Sequence, residues 1–154
     1  MSPIGGFGFQ FLSKMSSGIN VDDSCLVAFD ELKKNSKHTY LQFKISEKRT
    51  KIVVEELVKP AATFEEFVAN LPEDDGRYAV YDLEYKLSDT DGLRKKILFI
   101  SWIPDSAVTG QKMTYACSKD ALKSKLLGIA LDIQANCKED LEYSSIMDRL
   151  RNKN

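Results

Sequence analysis

The sequence predicts an α/β fold: a single three-layer domain in which a central mixed β-sheet is flanked by α-helices. Three observations lead to this prediction. A length of 154 residues suits one domain with a proper core. Segments with the two-residue period of strands alternate with segments that have the apolar spacing of helices. The chain contains no repeat, low-complexity tract or interdomain linker, so these segments are expected to share one core.

Composition and charge argue against a protein that is drawn to nucleic acid or membrane by its overall charge, a disulfide-stabilised protein and a metal-binding protein. The hydrophobic content of 43% is ordinary for a soluble globular protein, and a net charge of −1 provides no overall attraction to nucleic acid or membrane. Three widely spaced cysteines and a single histidine form neither a disulfide framework nor a metal-ligand spacing. This pattern favours a reducing compartment and predicts no metal or cofactor. Any anionic partner must therefore be bound by a local basic patch.

Residues 1–14 are expected to form a flexible N-terminal extension, and residues 15–154 the folded domain. The extension is rich in Gly and Phe and has no clean period, whereas Met15 begins a more ordinary N-terminus. It lacks the sustained apolar region of a signal peptide, and its glycines lack the lysine that ends a phosphate-binding loop. An alternative start at Met15 is the other interpretation of these residues.

The N-terminal half is expected to contain two helices on either side of a β-hairpin. Each predicted helix begins at a capping residue, and the predicted strands alternate apolar with polar residues or are rich in β-branched residues. A charged turn joins the strands, and a proline follows them. In order, the elements are a helix from Asp22 or Asp23 to Lys34, strands over residues 40–46 and 51–58, and a short helix from Thr63 to Leu71.

The C-terminal half is expected to contain a second pair of strands and two longer helices. An acidic turn with a glycine separates the strands, and the second strand is apolar at the consecutive positions 97–100, as expected for a strand covered on both faces. In order, the elements are strands over residues 77–87 and 94–102, a lysine-rich helix after Asp105, a short strand over 131–135 and a closing helix over 139–151.

The lysine-rich helix combines a buried seam with a basic stripe. At about 100° per residue, its side chains fall into three groups. These are the apolar seam Tyr115, Leu122 and Leu126; the stripe Lys112, Lys119 and Lys123; and, further round, Met113 with Asp120. A solvated face is the usual fate of such lysines, whereas an outward methionine beside them suits an adaptable protein interface. The residues of the helix favour the two interpretations equally.

The charged clusters of the sequence limit the partners that the protein is expected to bind. No aromatic residue lies on the basic stripe, so binding to nucleic acid is not expected, whereas phosphoinositide head groups suit the same lysines. Residues 94–96 begin a strand beside the acidic turn, either as ordinary edge charge or as a positively charged hairpin tip that binds an acidic partner.

The single histidine, His38, falls in a polar turn, and the sequence has no nucleophile elbow. The chain is therefore expected not to be an enzyme.

Several blocks of the sequence resemble the actin-depolymerising factor (ADF)/cofilin family. Three of them follow one another from the end of the strand over 94–102 through the lysine-rich helix, and a fourth precedes them. They are Leu71–Asp82, WIPDSA at Trp102–Ala107, KMTYACSKDAL at Lys112–Leu122 and KLLGI at Lys125–Ile129. The blocks occur in the family's order, and the similarity covers residues 15–151, which makes the resemblance specific.

The resemblance implies the ADF-homology fold, with a mostly antiparallel mixed sheet, and the function of a non-enzymatic actin regulator. Members of this family bind ADP-actin monomers and the sides of filaments, and they promote severing and depolymerisation. The alternatives are an actin-binding or sequestering homologue with little severing activity and a phosphoinositide-binding adaptor. The resemblance also implies a monomer located at the actin cytoskeleton of the cytoplasm, with the nucleus left open as a second location.

Matching positions to the family implies four groups of functional residues. Monomers and filaments would contact Ser17, Gly18, Lys112, Met113, Lys119 and Asp120; filaments alone Arg94, Lys96, Asp148 and Arg149; phosphoinositides Lys112, Lys119 and Lys123; and Ser17 would be the regulatory phosphorylation site. Two positions depart from the family pattern. Gly110, expected just before the helix, replaces a basic residue, and Cys117 replaces a serine and is expected to be partly packed.

Overall fold

The structure is a computed structural model that describes residues 18–35, 39–55 and 63–153. The predicted extension over residues 1–14, Ser17 and His38 lie outside these ranges, so the statements made about them stay predictions. The described elements are β1 Asn20–Val21, α1 Asp23–Asn35, β2 Tyr40–Ile45, β3 Lys51–Glu55, α2 Phe64–Ala69, β4 Arg77–Tyr85, β5 Arg94–Trp102, α3 Thr109–Lys123, β6 Ile129–Ala135, a 3₁₀ helix Lys138–Leu141 and α4 Tyr143–Lys153.

The strands form one mixed sheet in the order β1-β3-β2-β4-β5-β6. Strand β2 pairs antiparallel with β3 and β4, and β4 pairs antiparallel with β5 over nine positions, from Arg77 opposite Trp102 to Tyr85 opposite Arg94. The outer strands β1 and β6 are parallel to their neighbours β3 and β5. The predicted mixed, mostly antiparallel sheet is therefore confirmed.

Helices cover both faces of the sheet, which gives the predicted three layers. Because side chains alternate along a strand, β5 sends Leu98 and Ile100 to one face and Phe99 to the other, and all three are buried. The first face packs against α2, the 3₁₀ helix and α4, including Phe67 of α2. The second packs against α1 and α3, including Phe29 of α1. The apolar centre of β5 is thus covered on both sides, as its sequence predicts.

Several predicted boundaries differ from the structure. The closing helix predicted over 139–151 is two elements, because the backbone is extended at Glu142 (φ −68°, ψ 130°). Asp140 holds the first element in place, since its Oδ2 accepts the backbone N–H groups of Asn136 and Cys137 at 2.9 and 3.3 Å. Strand β6 begins two residues earlier than predicted, at Ile129.

Two further differences concern the N-terminal half. Strand β3 is described only to Glu55, so residues 56–58 of its predicted length lie outside the described ranges. Strand β1 was not predicted, because a two-residue strand is too short to show a period. The predicted capping of the short helix at Thr63 is confirmed, since the Thr63 hydroxyl accepts the Glu66 N–H at 3.1 Å. Within the described ranges, no helix has the length and apolar character needed to span a bilayer.

Candidate functional site

Helix α3 is held on the sheet by its predicted apolar seam. Tyr115 and Leu122 are at most 3% exposed, as predicted, and so is Leu126, which lies beyond the end of α3 rather than on it. The Tyr115 hydroxyl accepts the backbone N–H of Ile45 at 3.0 Å, and the Tyr78 hydroxyl donates to the Tyr115 carbonyl. Burial raises the pKa of Tyr115, so its hydroxyl stays protonated at neutral pH. These bonds fix the rotation of α3 and therefore which of its side chains face outward.

The start of α3 is fixed by a loop whose role the sequence pattern does not predict. Gln111 Oε1 accepts the backbone N–H of Gly76 at 2.9 Å, and Gln111 Nε2 donates to Asp75 Oδ1 at 3.2 Å. A Cβ atom on Gly76 would lie 2.6 Å from the ring of Tyr115, so only glycine allows this close approach. The N-cap residue Val108 makes no side-chain cap bond, which leaves Gln111 as the described side chain that ties this end of the helix to the loop.

The outward side of α3 presents a row of exposed residues, namely Met113, Cys117 and Asp120, which we call the exposed row. Met113 is 64% exposed, as predicted, and Asp120 is exposed beside it. Cys117 is exposed as well, so the expectation that it is partly packed is wrong. The spacing of i, i+4 and i+7 places the three on one helix face, one turn apart. Lys112 lies next to this row and is half-buried.

Gly110 lies within α3 rather than before it, which corrects its predicted place. It is exposed, and a Cβ atom there would meet no other atom within 4 Å. A larger side chain therefore fits at this position without steric cost.

The basic stripe is not a row of free lysines. Lys119 and Lys123 both bind Asp132 Oδ2 of strand β6, at 2.9 and 2.8 Å. The Lys119 side chain is only 13% exposed, whereas a solvated face would expose it. Burial raises the pKa of Asp132, but the hydrogen bonds from Lys123 and Lys119 outweigh it, so the pKa lies below its usual value. The spacing of lysines in a helix cannot reveal a counter-charge on a strand nine residues later.

Gly18 lies close to α3 through the first strand. It is exposed and has a positive φ of 67°, a conformation that glycine adopts without strain. The next residue, Ile19, is buried in the same core as the α3 seam, and β1 contacts α3. The structure thus brings Gly18 to the same layer as Lys112, Met113, Lys119 and Asp120.

The four predicted filament-binding residues lie on the opposite side of the sheet. Arg94 and Lys96 alternate with Leu98 along β5 and so point to the face that α4 covers. Asp148 and Arg149 are exposed on α4 itself. Arg149 Nη2 donates to the carbonyl oxygen of Asp132 at 3.2 Å, at the edge of the sheet.

The intervening Lys95 points to the other face. Its Nζ lies 3.4 Å from Glu84 and 3.9 Å from Asp82. Its charge is therefore countered by two carboxylates, so the hairpin offers Arg94 and Lys96 rather than three equivalent cations.

The two surfaces have the chemistry of docking sites for a macromolecule. The exposed row combines a polarisable methionine, a thiol and a carboxylate beside a lysine, and the opposite surface combines two basic strand residues with charged residues of α4. Among the described residues, no group of His, Cys, Asp and Glu side chains could hold a metal ion.

Comparison with known proteins identifies a family that shares this fold and sequence. A family profile described as "Cofilin/tropomyosin-type actin-binding protein" matches residues 18–151. The chain is 44% identical over 134 residues to a cofilin of Yarrowia lipolytica, covering 87% of each chain. It is 42% identical over 135 residues to actophorin of Acanthamoeba castellanii, covering 88% of this chain and 96% of that protein.

Solved structures agree with the sequence matches. The crystal structure of a Streptomyces griseoflavus cofilin has a TM-score of 0.77 at 39% identity, covering 85% of this chain and 96% of that one. Actin depolymerization factor 2 of Plasmodium berghei has a TM-score of 0.73 at 29% identity, covering 87% of this chain and 96% of that one. The predicted fold class is therefore confirmed by structures of similar sequence.

Proposed function

The chain belongs to the ADF/cofilin family of actin-binding proteins, and we propose that it binds actin monomers and the sides of filaments and promotes filament severing and depolymerisation. The observation that carries this proposal is the exposed row on α3, next to Lys112. Met113 is 64% exposed although it lies on a helix whose inner seam is fully packed. An exposed methionine beside a lysine suits an adaptable protein interface, and the family implies actin as the partner.

We further propose that the monomer-binding surface consists of Gly18, Lys112, Met113, Lys119 and Asp120, together with Ser17. Gly18 supports this assignment because β1 contacts α3. Lys112 is half-buried and held on a fixed helix, so it loses little conformational freedom when actin binds. Lys119 contributes less directly, since its ammonium group is bonded to Asp132. Ser17 stays the predicted site of regulatory phosphorylation.

The second proposed surface binds filaments only, through Arg94, Lys96, Asp148 and Arg149. Its position across the sheet from α3 supports the proposal, because a protein that binds the side of a filament can contact two adjacent subunits with two faces. Binding that favours one filament conformation shifts the population of subunits towards it, which is the physical basis of severing and subunit loss.

Phosphoinositides are a further proposed partner of Lys112, Lys119 and Lys123. Lys112 and the partly exposed Lys123 support it, whereas the bond between Lys119 and Asp132 weakens the case for that residue. We also propose that the protein is a monomer that acts at the cytoplasmic actin cytoskeleton, and that it has no enzymatic activity.

Imaging of single filaments tests the proposed activity. Fluorescent ADP-actin filaments exposed to the protein are expected to acquire breaks along their length and to shorten. Decoration without new breaks would identify the alternative, an actin-binding homologue with little severing activity. Binding to phosphoinositide vesicles with no affinity for actin in any form would identify the adaptor.

A further inference from the structure

Asp132 of strand β6 is contacted from both helical layers. From α3, the ammonium groups of Lys119 and Lys123 bind the same carboxylate oxygen, Oδ2, at 2.9 and 2.8 Å. From α4, the guanidinium of Arg149 donates to the carbonyl oxygen at 3.2 Å. The elements that carry the two proposed actin surfaces therefore meet at one residue.

The position of Asp132 in the sheet explains these contacts. Its neighbours Leu131 and Ile133 are buried on the face covered by α4, so the Asp132 side chain points to the face covered by α3. Strand β6 ends the order of described strands, so its outer edge is open to Arg149. The bond from Arg149 thus holds the main chain of the residue whose side chain holds the two lysines.

Lys119 depends on this carboxylate. An ammonium group that is largely withdrawn from water is unfavourable unless a counter-charge is close, and the Lys119 side chain is 13% exposed. Without the Asp132 carboxylate, Lys119 is expected to turn outward into water, in the direction of the proposed monomer-binding surface. Lys123, which is 37% exposed, is less constrained but shares the same acceptor oxygen.

We propose that Asp132 is a positioning residue for the binding of actin monomers. It holds Lys119 and Lys123 in one orientation, so that α3 presents a preformed surface, and it does not itself touch actin. A surface that is already ordered loses less conformational freedom on binding than one whose lysines must be ordered by the partner. The inference rests on the proposed function, because it concerns the same α3 surface.

The direction in which Asp132→Asn changes the affinity for actin distinguishes positioning of the lysines from simple electrostatic attraction. Asp132→Asn keeps the size and main chain of the residue and leaves two lysines without their carboxylate, which makes the surface more positive. If the lysines served only to attract an anionic partner, this change would strengthen binding. Positioning predicts the opposite, a weaker complex despite the added positive charge.

The experiment is a titration of labelled ADP-actin monomers with the wild-type protein and with Asp132→Asn. The variant is expected to bind about 3- to 10-fold more weakly, mainly through faster dissociation. Glu84→Gln is the matched control, since it removes the same charge from another pair with a lysine, 3.4 Å from Lys95, and should leave monomer affinity unchanged. Equal or tighter binding by Asp132→Asn would overturn the inference.

Further variants guard against a purely structural effect. Asp132→Glu restores a carboxylate and is expected to recover most of the lost affinity, whereas a variant as weak as Asp132→Asn would contradict the role of the charge. In a Lys119→Met background, Asp132→Asn should have a smaller effect than in the wild type, and fully additive effects would contradict action through Lys119. If the wild type itself fails to bind actin monomers, the proposed function fails. If the wild type binds actin monomers but the affinities of the variants differ from those expected, the inference alone fails.

Discussion

At the scale of single residues, the site depends on how closely β4 approaches α3. Gly76 immediately precedes β4, and a Cβ atom there would lie 2.6 Å from the ring of Tyr115, which anchors α3 to the end of β2. The same glycine donates its N–H to Gln111. Because Gly76 has no side chain, the loop, the strand and the helix can pack together. Its φ is not positive, so the close approach and not the backbone conformation requires glycine.

Gly76→Ala is expected to destabilise the protein by about 1–3 kcal/mol, because the added methyl group meets a buried ring that cannot move away freely. Urea unfolding followed by circular dichroism measures the change. Gly110→Ala is the matched control: nothing lies within 4 Å of its Cβ position, and replacing a helical glycine should be neutral or stabilising by up to about 1 kcal/mol. Equal midpoints for wild type and Gly76→Ala would contradict the close packing.

At the scale of the element, α3 owes its orientation to tertiary contacts more than to its own sequence. Val108 provides no side-chain cap and Gly110 favours the helix least of all residues except proline. The buried seam and the bonds of Gln111 and Tyr115 compensate for this weak start. Because these contacts lie on the inner side, the exposed row is available to a partner along its whole length.

The reactivity of Cys117 reports on the exposed row directly. Cys25 is fully buried, and burial raises its pKa to about 11, so iodoacetamide should modify exposed Cys117 much faster than Cys25. Excess actin monomer is expected to slow the modification of Cys117 at least about fivefold, because its neighbours Met113 and Asp120 belong to the proposed surface. Peptide mass spectrometry measures the rate at each cysteine.

Cys137 is the internal control for this experiment. It is partly exposed in the segment between β6 and the 3₁₀ helix, outside both proposed surfaces. Its rate should not change when actin is added. A Cys117 rate that is the same with and without saturating actin would contradict the assignment of the exposed row.

At the scale of the whole molecule, the sheet separates the two proposed surfaces. Arg94 and Lys96 lie on the α4 side, whereas Lys112 and Met113 lie on the α3 side. Substitutions at Arg94 and Lys96 should therefore act independently of substitutions at Lys112 and Met113, since residues without shared contacts usually contribute independently.

The double substitution Arg94→Ala, Lys96→Ala is expected to weaken binding to filaments about tenfold and to leave the affinity for monomers unchanged. Co-sedimentation with filaments and titration of monomers measure the two effects. Lys86→Ala with Lys95→Ala is the matched control, because it removes two positive charges from the same hairpin, and Lys95 points to the other face. A parallel loss of monomer affinity would show that the two surfaces are not distinct.

The sequence predicted the layers of the fold and the inner seam of α3, because both depend on apolar periodicity. It predicted an outward Met113 for the same reason. It did not predict β1, which is too short to show a period, or the break at Glu142, which depends on Asp140 binding backbone groups. The partner of Lys119 was also beyond prediction, since Asp132 approaches it only after β6 pairs with β5.

A titration of ADP-actin monomers measures whether the exposed side of α3 binds actin. Lys112→Ala with Met113→Ala should weaken monomer affinity at least about tenfold, or about 1.4 kcal/mol. Lys86→Ala with Leu93→Ala is the matched control and should bind as the wild type does, because it replaces an exposed lysine just after β4 and an exposed leucine just before β5, outside the proposed monomer-binding surface. Unchanged affinity of the α3 variant, with both proteins folded, would show that the exposed side of α3 does not bind actin monomers.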